Sequence, residues 1–137
     1  MNQKPEPAPQ SLPTIAQVRD QTKREDTELR NSDLTSIQRE HRMVRGPRPF
    51  CDVVKILNVR SSGEVTAETT LGCFAKFFGL YPIDIRMNLG SGNKETLLAL
   101  NSGARVRLVG AGRWVEPDSD HQTNFFLVEQ IDSLDAL

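Results

Sequence analysis

Hydrophobic and polar positions alternate over most of the second part of the chain. Five stretches there are rich in β-branched and aromatic residues, and glycine, serine or asparagine separates them. Alternation with a period of two is typical of strands that bury one face. The pattern predicts five strands, at 51–60, 64–74, 81–89, 104–116 and 124–134. It also predicts a short helix or turn at 94–103, which ends at Gly103.

The first part of the chain has a different pattern. Residues 1–13 hold four of the eight prolines and almost no large apolar side chains, so we expect a flexible extended tail. Residues 14–44 are rich in charged and helix-forming residues, but their apolar side chains are too sparse for a complete core-facing stripe. We expect loose helix or disorder there, or a segment that orders on a partner. The sequence RGPRPF at 45–50 then breaks any helix. This divides the chain into a flexible, partly helical arm at 1–48 and a β-domain at 49–137.

Five strands with one short helix between the third and the fourth predict a mainly β fold. The order fits a five-stranded antiparallel Greek-key barrel that is partly open. Such barrels bend their strands at corners, and glycine often supplies the bend. The fourth strand lies in GARVRLVGAGRWVEPD at 103–118, where Gly110 and Gly112 interrupt the alternation. We interpret this interruption as a barrel corner or a bulge.

Charge and cysteine content narrow the class of protein. The net charge of -1 excludes a strongly basic protein, so any binding to phosphate must come from a local patch. Cys51 and Cys73 form no CxxC pair, and we expect no zinc site. The first residues lack the apolar core of a signal peptide, and no apolar run is long enough to span a bilayer. We therefore expect an intracellular protein, cytoplasmic or associated with nucleic acid, with no membrane attachment.

No arrangement of residues indicates catalysis. The two histidines, His41 and His121, fall in a linker and a loop, away from any partner that would make a nucleophile–base pair. The sequence GSGNKET at 90–96 lacks the spacing of a phosphate-binding loop. The acidic sequence EPDSDH at 116–121 lacks the glycine and the distant glutamate of a calcium loop. We expect no enzyme, no catalytic residue, no cofactor and no metal.

Two segments of the C-terminal half, LNSGARVRLVG at 100–110 and FFLVEQIDSLD at 125–135, flank a loop. This pattern resembles the end of oligonucleotide-binding-fold proteins of the single-stranded-DNA-binding and primosomal type. The matching residues are Leu100, Gly103, Val106, Leu108, Gly110, Phe126, Val128 and Ile131. The resemblance implies the fold more than the ligand. The chain departs from the pattern in the 48 residues that precede the barrel and in having one Trp, one Tyr and six Phe.

One candidate nucleic-acid-binding segment lies in the arm. An arginine recurs there at every third residue: Arg39, Arg42, Arg45 and Arg48. Such an arm could lie along phosphates, and Arg42, Arg45 and Arg48 are the residues that we assign to the site. The alternative is a solvated linker, because charge runs are usually just exposed.

The second candidate lies on the fourth strand. Arg105 and Arg107 share a face, and Arg113 and Trp114 follow the two glycines. Trp114 could stack a base while the arginines hold phosphate. The alternative is that Trp114 closes the barrel core and the arginines are ordinary surface.

A third cluster is aromatic, and we expect most of it to be buried. Phe74, Phe77, Phe78 and Tyr81 stand close together in the sequence, and two or three of them should lie in the core. One exposed member would stack on a base or contact a protein.

Two functions remain open on these grounds. The first is a non-enzymatic protein that binds single-stranded DNA or RNA, or an accessory module for it, which the strand pattern and the arginine clusters favour. The second is a protein-interaction or assembly subunit that docks a partner through the barrel and residues 14–48, which the near-neutral charge and the scarce aromatics favour. A third hypothesis is a barrel that binds a nucleotide through the arm. Homo-oligomer formation stays open.

Overall fold

The structure of the protein is a computed structural model that describes residues 11–43, 46–71, 75–116 and 123–137. In the described residues there are three α-helices, one 3-10 helix and five strands. The α-helices are α1 (Ile15–Arg30), α2 (Ser36–Met43) and α3 (Lys94–Ala99), and the 3-10 helix covers Ala75–Phe78. The strands are β1 (Arg48–Val59), β2 (Glu64–Thr69), β3 (Asp84–Asn88), β4 (Arg105–Val115) and β5 (Phe125–Ala136).

The five strands form a closed barrel in the order β1-β2-β3-β5-β4, with β4 paired to β1. Four of the strand pairs are antiparallel, but β3 and β5 are parallel, with Ile85 opposite Phe126 and Arg86 opposite Leu127. The expectation of a purely antiparallel barrel is therefore wrong. The reason is arithmetic, because a closed ring with an odd number of strands cannot alternate in direction all the way round. The closed barrel is compatible with an oligonucleotide-binding-like fold.

The barrel interior holds the side chains that alternation places on one face of each strand. Phe50 and Phe126 are both completely buried, and their rings meet edge to face with centroids 5.1 Å apart. Edge-to-face contact is the favoured geometry for two buried rings. Other fully buried strand residues are Val54, Ile56, Val65, Ile85, Met87 and Leu108. The amphipathic alternation in the sequence thus becomes one continuous core.

Helix α1 contributes to the same core. A capping box starts the helix, in which the Thr14 side chain accepts from the Gln17 amide and the Gln17 side chain accepts from the Thr14 amide. Ile15 and Val18 in its first turn are completely buried in the barrel core. The helix packs against β1 and β4. The core thus extends across the predicted boundary at residue 48. The predicted flexible tail lies outside the described residues as far as residue 10.

The segment before α1 covers an edge of the barrel. Strand β1 pairs with β2 only from Val54 onward, so its first half has a free edge on that side. The Cys51 amide donates to the Pro13 carbonyl at 3.0 Å, and the Ile15 amide donates to the Asp52 carboxylate at 3.1 Å. These two bonds cover an edge that would otherwise be open to pairing with another chain.

The two glycines of β4 lie where its register with β5 shifts. The shifts fall between Val109 and Gly110 and between Ala111 and Gly112. The two glycines thus mark irregularities in the pairing of β4, as the interpretation of a barrel corner or a bulge expects. None of the described helices is long and apolar enough to cross a membrane.

Candidate nucleic-acid interface

Three basic side chains lie together on the outer face of β1 and β4. Lys55 is directly opposite Arg105 in the antiparallel pair, and Arg107 is two residues further along β4 on the same face. All three are exposed, and within the described residues none of them forms an ion pair. Lys55, Arg105 and Arg107 are called the basic patch below.

The basic patch has acidic as well as basic neighbours across the strands, and Asp135 of β5 lies directly opposite Arg107. Lys55 lies opposite Arg105 on one side and opposite Glu68 of β2 on the other. Glu68 in turn lies opposite Asp84 of β3. Arg105, Lys55, Glu68 and Asp84 thus form one row across β4, β1, β2 and β3. The two basic residues are adjacent at one end of the row and the two acidic residues at the other. Like charges directly opposite each other destabilise a sheet, and such local conflicts are typical of binding surfaces.

The connection between β2 and β3 exposes large aromatic side chains. Phe77 is 85% exposed, Phe78 78% and Tyr81 77%. The expectation that most of this cluster would be buried is therefore wrong for these three, and Phe74 lies outside the described residues. The strands already fill the barrel interior, so no room is left there for the rings. Phe77, Phe78 and Tyr81 are called the aromatic connection below.

The basic patch and the aromatic connection are neighbours on the barrel surface. The Thr70 hydroxyl, at the point where the connection leaves β2, donates to the Val53 carbonyl of β1 at 3.3 Å. Val53 is directly opposite Arg107 in the pair of β1 with β4. Adjacent strands are about 4.8 Å apart, so the backbones at Thr70 and Arg107 are separated by roughly 10 Å. The segment that carries the aromatic connection therefore starts beside the basic patch.

The other residues predicted on β4 lie at the far end of the strand. From Arg105 to Trp114 the strand rises about 30 Å. The Nε of Arg113 donates to Glu129 at 2.8 Å. Trp114 is half-buried against the core, its Nε1 donates to Glu116 at 2.8 Å, and the Lys23 ammonium lies 5.6 Å from the ring centroid. The structure thus separates Arg113 and Trp114 from Arg105 and Arg107.

The arginines of the arm are also dispersed. Arg42 is exposed on α2, whereas Arg48 begins β1 and is paired with Glu25 of α1. Arg45 lies outside the described residues. Because α2 and β1 are different elements, Arg42 and Arg48 do not line a single straight arm. Of the predicted site residues, Arg42, Arg105 and Arg107 are exposed and without an ion pair in the described part of the chain.

A groove of about 390 Å³ lies beside the aromatic connection, at the end of the barrel that α1 covers. Leu80, Tyr81 and Pro82 form one part of its lining, and Ala16 and Trp114 form another. Arg19, Asp84 and Asn124 add polar groups to the lining. This space is called the end groove below.

Two functional candidates were missed from the sequence for identifiable reasons. Lys55 lies at an outward position of the first predicted strand. It joins the basic patch only because β1 pairs with β4, and the alternation within one strand does not reveal that pairing. For the aromatic connection, the sequence favours burial of most of the cluster, because aromatic residues are usually buried. Within the described residues, no group of three or more histidine, cysteine or acidic side chains could hold a metal ion.

Comparisons of the chain with protein-family models, with curated proteins and with solved structures found no match.

Proposed function

We propose that this chain is a non-enzymatic protein that binds single-stranded nucleic acid on an oligonucleotide-binding barrel of Greek-key type. The basic patch contacts phosphates, and the aromatic connection stacks on bases. A positively charged groove combined with aromatic platforms is the usual way in which proteins hold single strands without reading their sequence.

One observation carries the proposal. The register of β1 with β2 and β4 aligns Lys55 and Arg107 beside the end of β2. The segment that carries the aromatic connection begins at that end of β2. Phosphate-binding and base-stacking groups therefore lie within the reach of a few nucleotides. Lys55 and Arg105 lie directly opposite each other and repel each other. A phosphate bound between them relieves this repulsion.

The location differs from the commonest one in such barrels, which is the face of β2 and β3. In this protein that face carries Glu64, Glu68 and Asp84 at outward positions. Among the residues of these two strands, the outward basic side chain is that of Arg86. An acidic surface repels phosphate, so the sugar–phosphate chain should follow β1 and β4 instead. With the three side chains of the basic patch in contact with phosphates, a plot of log affinity against log salt concentration should have a slope of about -2.

The charge part is tested by fluorescence anisotropy with labelled oligothymidylate and oligouridylate at two salt concentrations. Arg105→Ala or Arg107→Ala should reduce the magnitude of the salt slope by about 0.7, the value for one phosphate contact on a single strand. Lys94→Ala is the matched control, because Lys94 is an exposed base at the start of α3. A slope that is the same in all three variants would show that the basic patch does not bind phosphate.

The stacking part is tested with Phe78→Ala and Tyr81→Ala in the same titrations. Each should weaken binding by about 1–3 kcal/mol if its ring stacks on a base. Leu98→Ala is the control, since Leu98 is 82% exposed on α3 and its truncation removes a comparable apolar surface. Failure of the wild-type chain to bind either oligonucleotide at low salt would refute the proposal.

A second function, a protein-interaction or assembly subunit, has one observation in its favour. Ile37 of α2 is 75% exposed and lines, with Leu34, a shallow apolar surface beside Arg42. An exposed isoleucine beside a second apolar side chain is a surface on which another protein could pack. Sedimentation velocity of the wild-type chain and of Ile37→Ser distinguishes the roles. Assembly through α2 predicts self-association that Ile37→Ser abolishes, whereas nucleic-acid binding should be unchanged by that variant.

A further inference from the structure

The end groove combines apolar side chains with a few polar groups in its lining. Tyr81, which is 77% exposed, and Trp114, which is half-buried, are both part of its lining. Its volume of about 390 Å³ falls in the range of sites that bind small molecules. Aromatic walls and this size suit one planar ring system rather than a peptide or a long chain.

Asp84 is the polar group that determines which ring system fits. It is exposed at the start of β3, and within the described residues its carboxylate accepts no hydrogen bond and forms no ion pair. Its cross-strand neighbour is Glu68, which adds a second negative charge. Arg19 also lines the groove, and its described ion pair is with Asp20 at 3.0 Å rather than with Asp84.

A carboxylate accepts hydrogen bonds and donates none. Its two oxygens are matched best by two parallel N–H groups on one planar partner. Among the bases, guanine alone presents two adjacent N–H donors, N1–H and the N2 amino group, on its Watson–Crick edge. Adenine and cytosine place an acceptor beside their amino group, and thymine and uracil flank a single N–H with carbonyls. Only guanine therefore offers Asp84 a matching pair.

We infer that the end groove is a guanine-selective base pocket, in which Asp84 accepts from the Watson–Crick edge while Tyr81 and Trp114 contact the ring. The inference rests on the proposed function, because it assumes that a strand bound at the basic patch extends to the groove and delivers the base. Asp84 and its cross-strand neighbour Glu68 repel phosphate, so the base enters edge first and the sugar–phosphate chain stays outside. The same chemistry would accept the base of a free guanine nucleotide.

The test compares oligothymidylates that carry one central guanine, adenine, cytosine or thymine. The wild-type chain should bind the guanine oligonucleotide about tenfold more tightly than the other three, within the range expected for a bidentate base contact. Trp114 is the only tryptophan of the chain. Its fluorescence should therefore be quenched by the guanine oligonucleotide more strongly than by the others at equal saturation.

Asp84→Asn keeps the shape of the side chain but replaces one acceptor by a donor, and it should reduce the preference for guanine to less than about twofold. Glu95→Gln is the matched control, because it removes the same charge at an exposed position of α3. Both substitutions raise general affinity for polyanions, so the measured quantity is the ratio between oligonucleotides. Thermal unfolding of both variants checks that the fold is retained.

The outcomes separate this inference from the proposed function. Equal binding of all four oligonucleotides by the wild-type chain, or an unchanged preference in Asp84→Asn, would overturn the guanine pocket and leave nucleic-acid binding intact. If no oligonucleotide binds, the proposed function fails, and titration with guanosine monophosphate decides the pocket. Quenching of Trp114 that Asp84→Asn abolishes would then assign the pocket to free guanine nucleotides, and absence of quenching would overturn it.

Discussion

At the scale of single residues, the two glycines of β4 are required by packing within the barrel. A Cβ at Gly112 would lie 2.5 Å from a ring carbon of Phe126 and 2.5 Å from the Leu127 carbonyl oxygen. A Cβ at Gly110 would overlap the Gln130 carbonyl oxygen. Both contacts involve backbone of β5 at its register shifts, which cannot move without breaking ladder hydrogen bonds. The glycines therefore serve closure of the barrel rather than approach to a ligand.

Gly112→Ala should lower the free energy of unfolding by at least about 1–3 kcal/mol, the usual cost of forcing a methyl group into a packed site. Gly92→Ala is the control, because a Cβ there meets nothing within 4 Å. It should leave stability within about 0.5 kcal/mol of wild type. Urea unfolding followed by circular dichroism measures both. Equal stability of the two variants would mean that β5 adjusts more freely than its contacts imply.

Asp52 is the carboxyl group that holds the start of α1. Burial raises its pKa above the ordinary value of 3.8, and the hydrogen bonds that it accepts from the Ile15 and Val53 amides oppose this shift without cancelling it. The folded state therefore binds this proton more tightly than the unfolded state does. The resulting contribution to stability is present below the ordinary pKa and is lost as pH rises through the raised folded value.

Asp52→Asn should remove this pH dependence. An asparagine oxygen still accepts from the Ile15 amide but carries no charge to desolvate. The stability of wild type relative to the variant should therefore fall as pH rises above 3.8, and at neutral pH the variant should be at least as stable. Asp33→Asn, at an exposed position between α1 and α2, controls for loss of charge alone. Urea unfolding of all three chains between about pH 3 and pH 7 measures this. An increase with pH in the stability of wild type relative to Asp52→Asn would contradict the expectation.

At this scale the sequence predicts that Arg105 and Arg107 are exposed. It does not predict that Arg113 and Arg48 each form an ion pair with a glutamate. Exposure follows from alternation along one strand, which the sequence displays directly. The ion pairs with Glu129 and Glu25 join residues that are 16 and 23 positions apart. Such pairs depend on how strands and helices dock, and no local pattern encodes that.

At the scale of elements, α1 and α2 differ although they come from one stretch of similar composition. Ile15 and Val18 of α1 are completely buried, whereas Ile37 of α2 is 75% exposed. Only the first turns of α1 contact the core, so the helix as a whole shows no continuous apolar stripe. The sequence predicts helix here from its residue types, but an apolar stripe confined to one helix end is too short to be recognised as core-forming.

Ile15→Ala should destabilise the protein by about 2–5 kcal/mol, the range for truncating a fully buried isoleucine. Ile37→Ala is a matched change in the same part of the chain and should alter stability by less than about 0.5 kcal/mol. Thermal and urea unfolding of the two variants decides between a docked helix and a loose arm. Similar, small effects of both substitutions would show that the barrel is stable without α1.

The strands themselves are largely predictable, because each buries one face and alternates accordingly. The fourth strand is predicted at 104–116 and found at Arg105–Val115, and the short helix after the third strand is found within its predicted range. The parallel contact of β3 with β5 is not predictable in this way. It is a consequence of closing the ring, which alternation within one strand does not determine.

At the scale of the whole molecule, a helix lies at each end of the barrel. Ile15 and Val18 of α1 belong to the core near the start of β1, and Leu97 of α3 belongs to it near the end of β3. Both helices share one continuous hydrophobic cluster with the strands. Elements that share a core usually unfold together rather than separately.

Native-state hydrogen exchange should therefore show the same opening free energy for the Val18 amide, which bonds to the Thr14 carbonyl, as for amides of β1 and β4. The amides of α2 should exchange through local opening that costs far less, because the described side chains of α2 are mostly exposed. Exchange of α1 at the rate of α2 would show that the helix detaches while the barrel stays closed.

The docking of α1 on β1 and β4 also bears on how the chain folds as it leaves the ribosome. Helix α1 emerges before both strands that it packs against, and the strand that closes the barrel between β3 and β4 is β5, which follows them. Until β5 has been synthesised, β3 and β4 each keep an unpaired edge. A helix of 16 residues is only marginally stable alone in water. During translation, Ile15 and Val18 therefore remain exposed to solvent or to chaperones, and their burial waits for closure of the barrel.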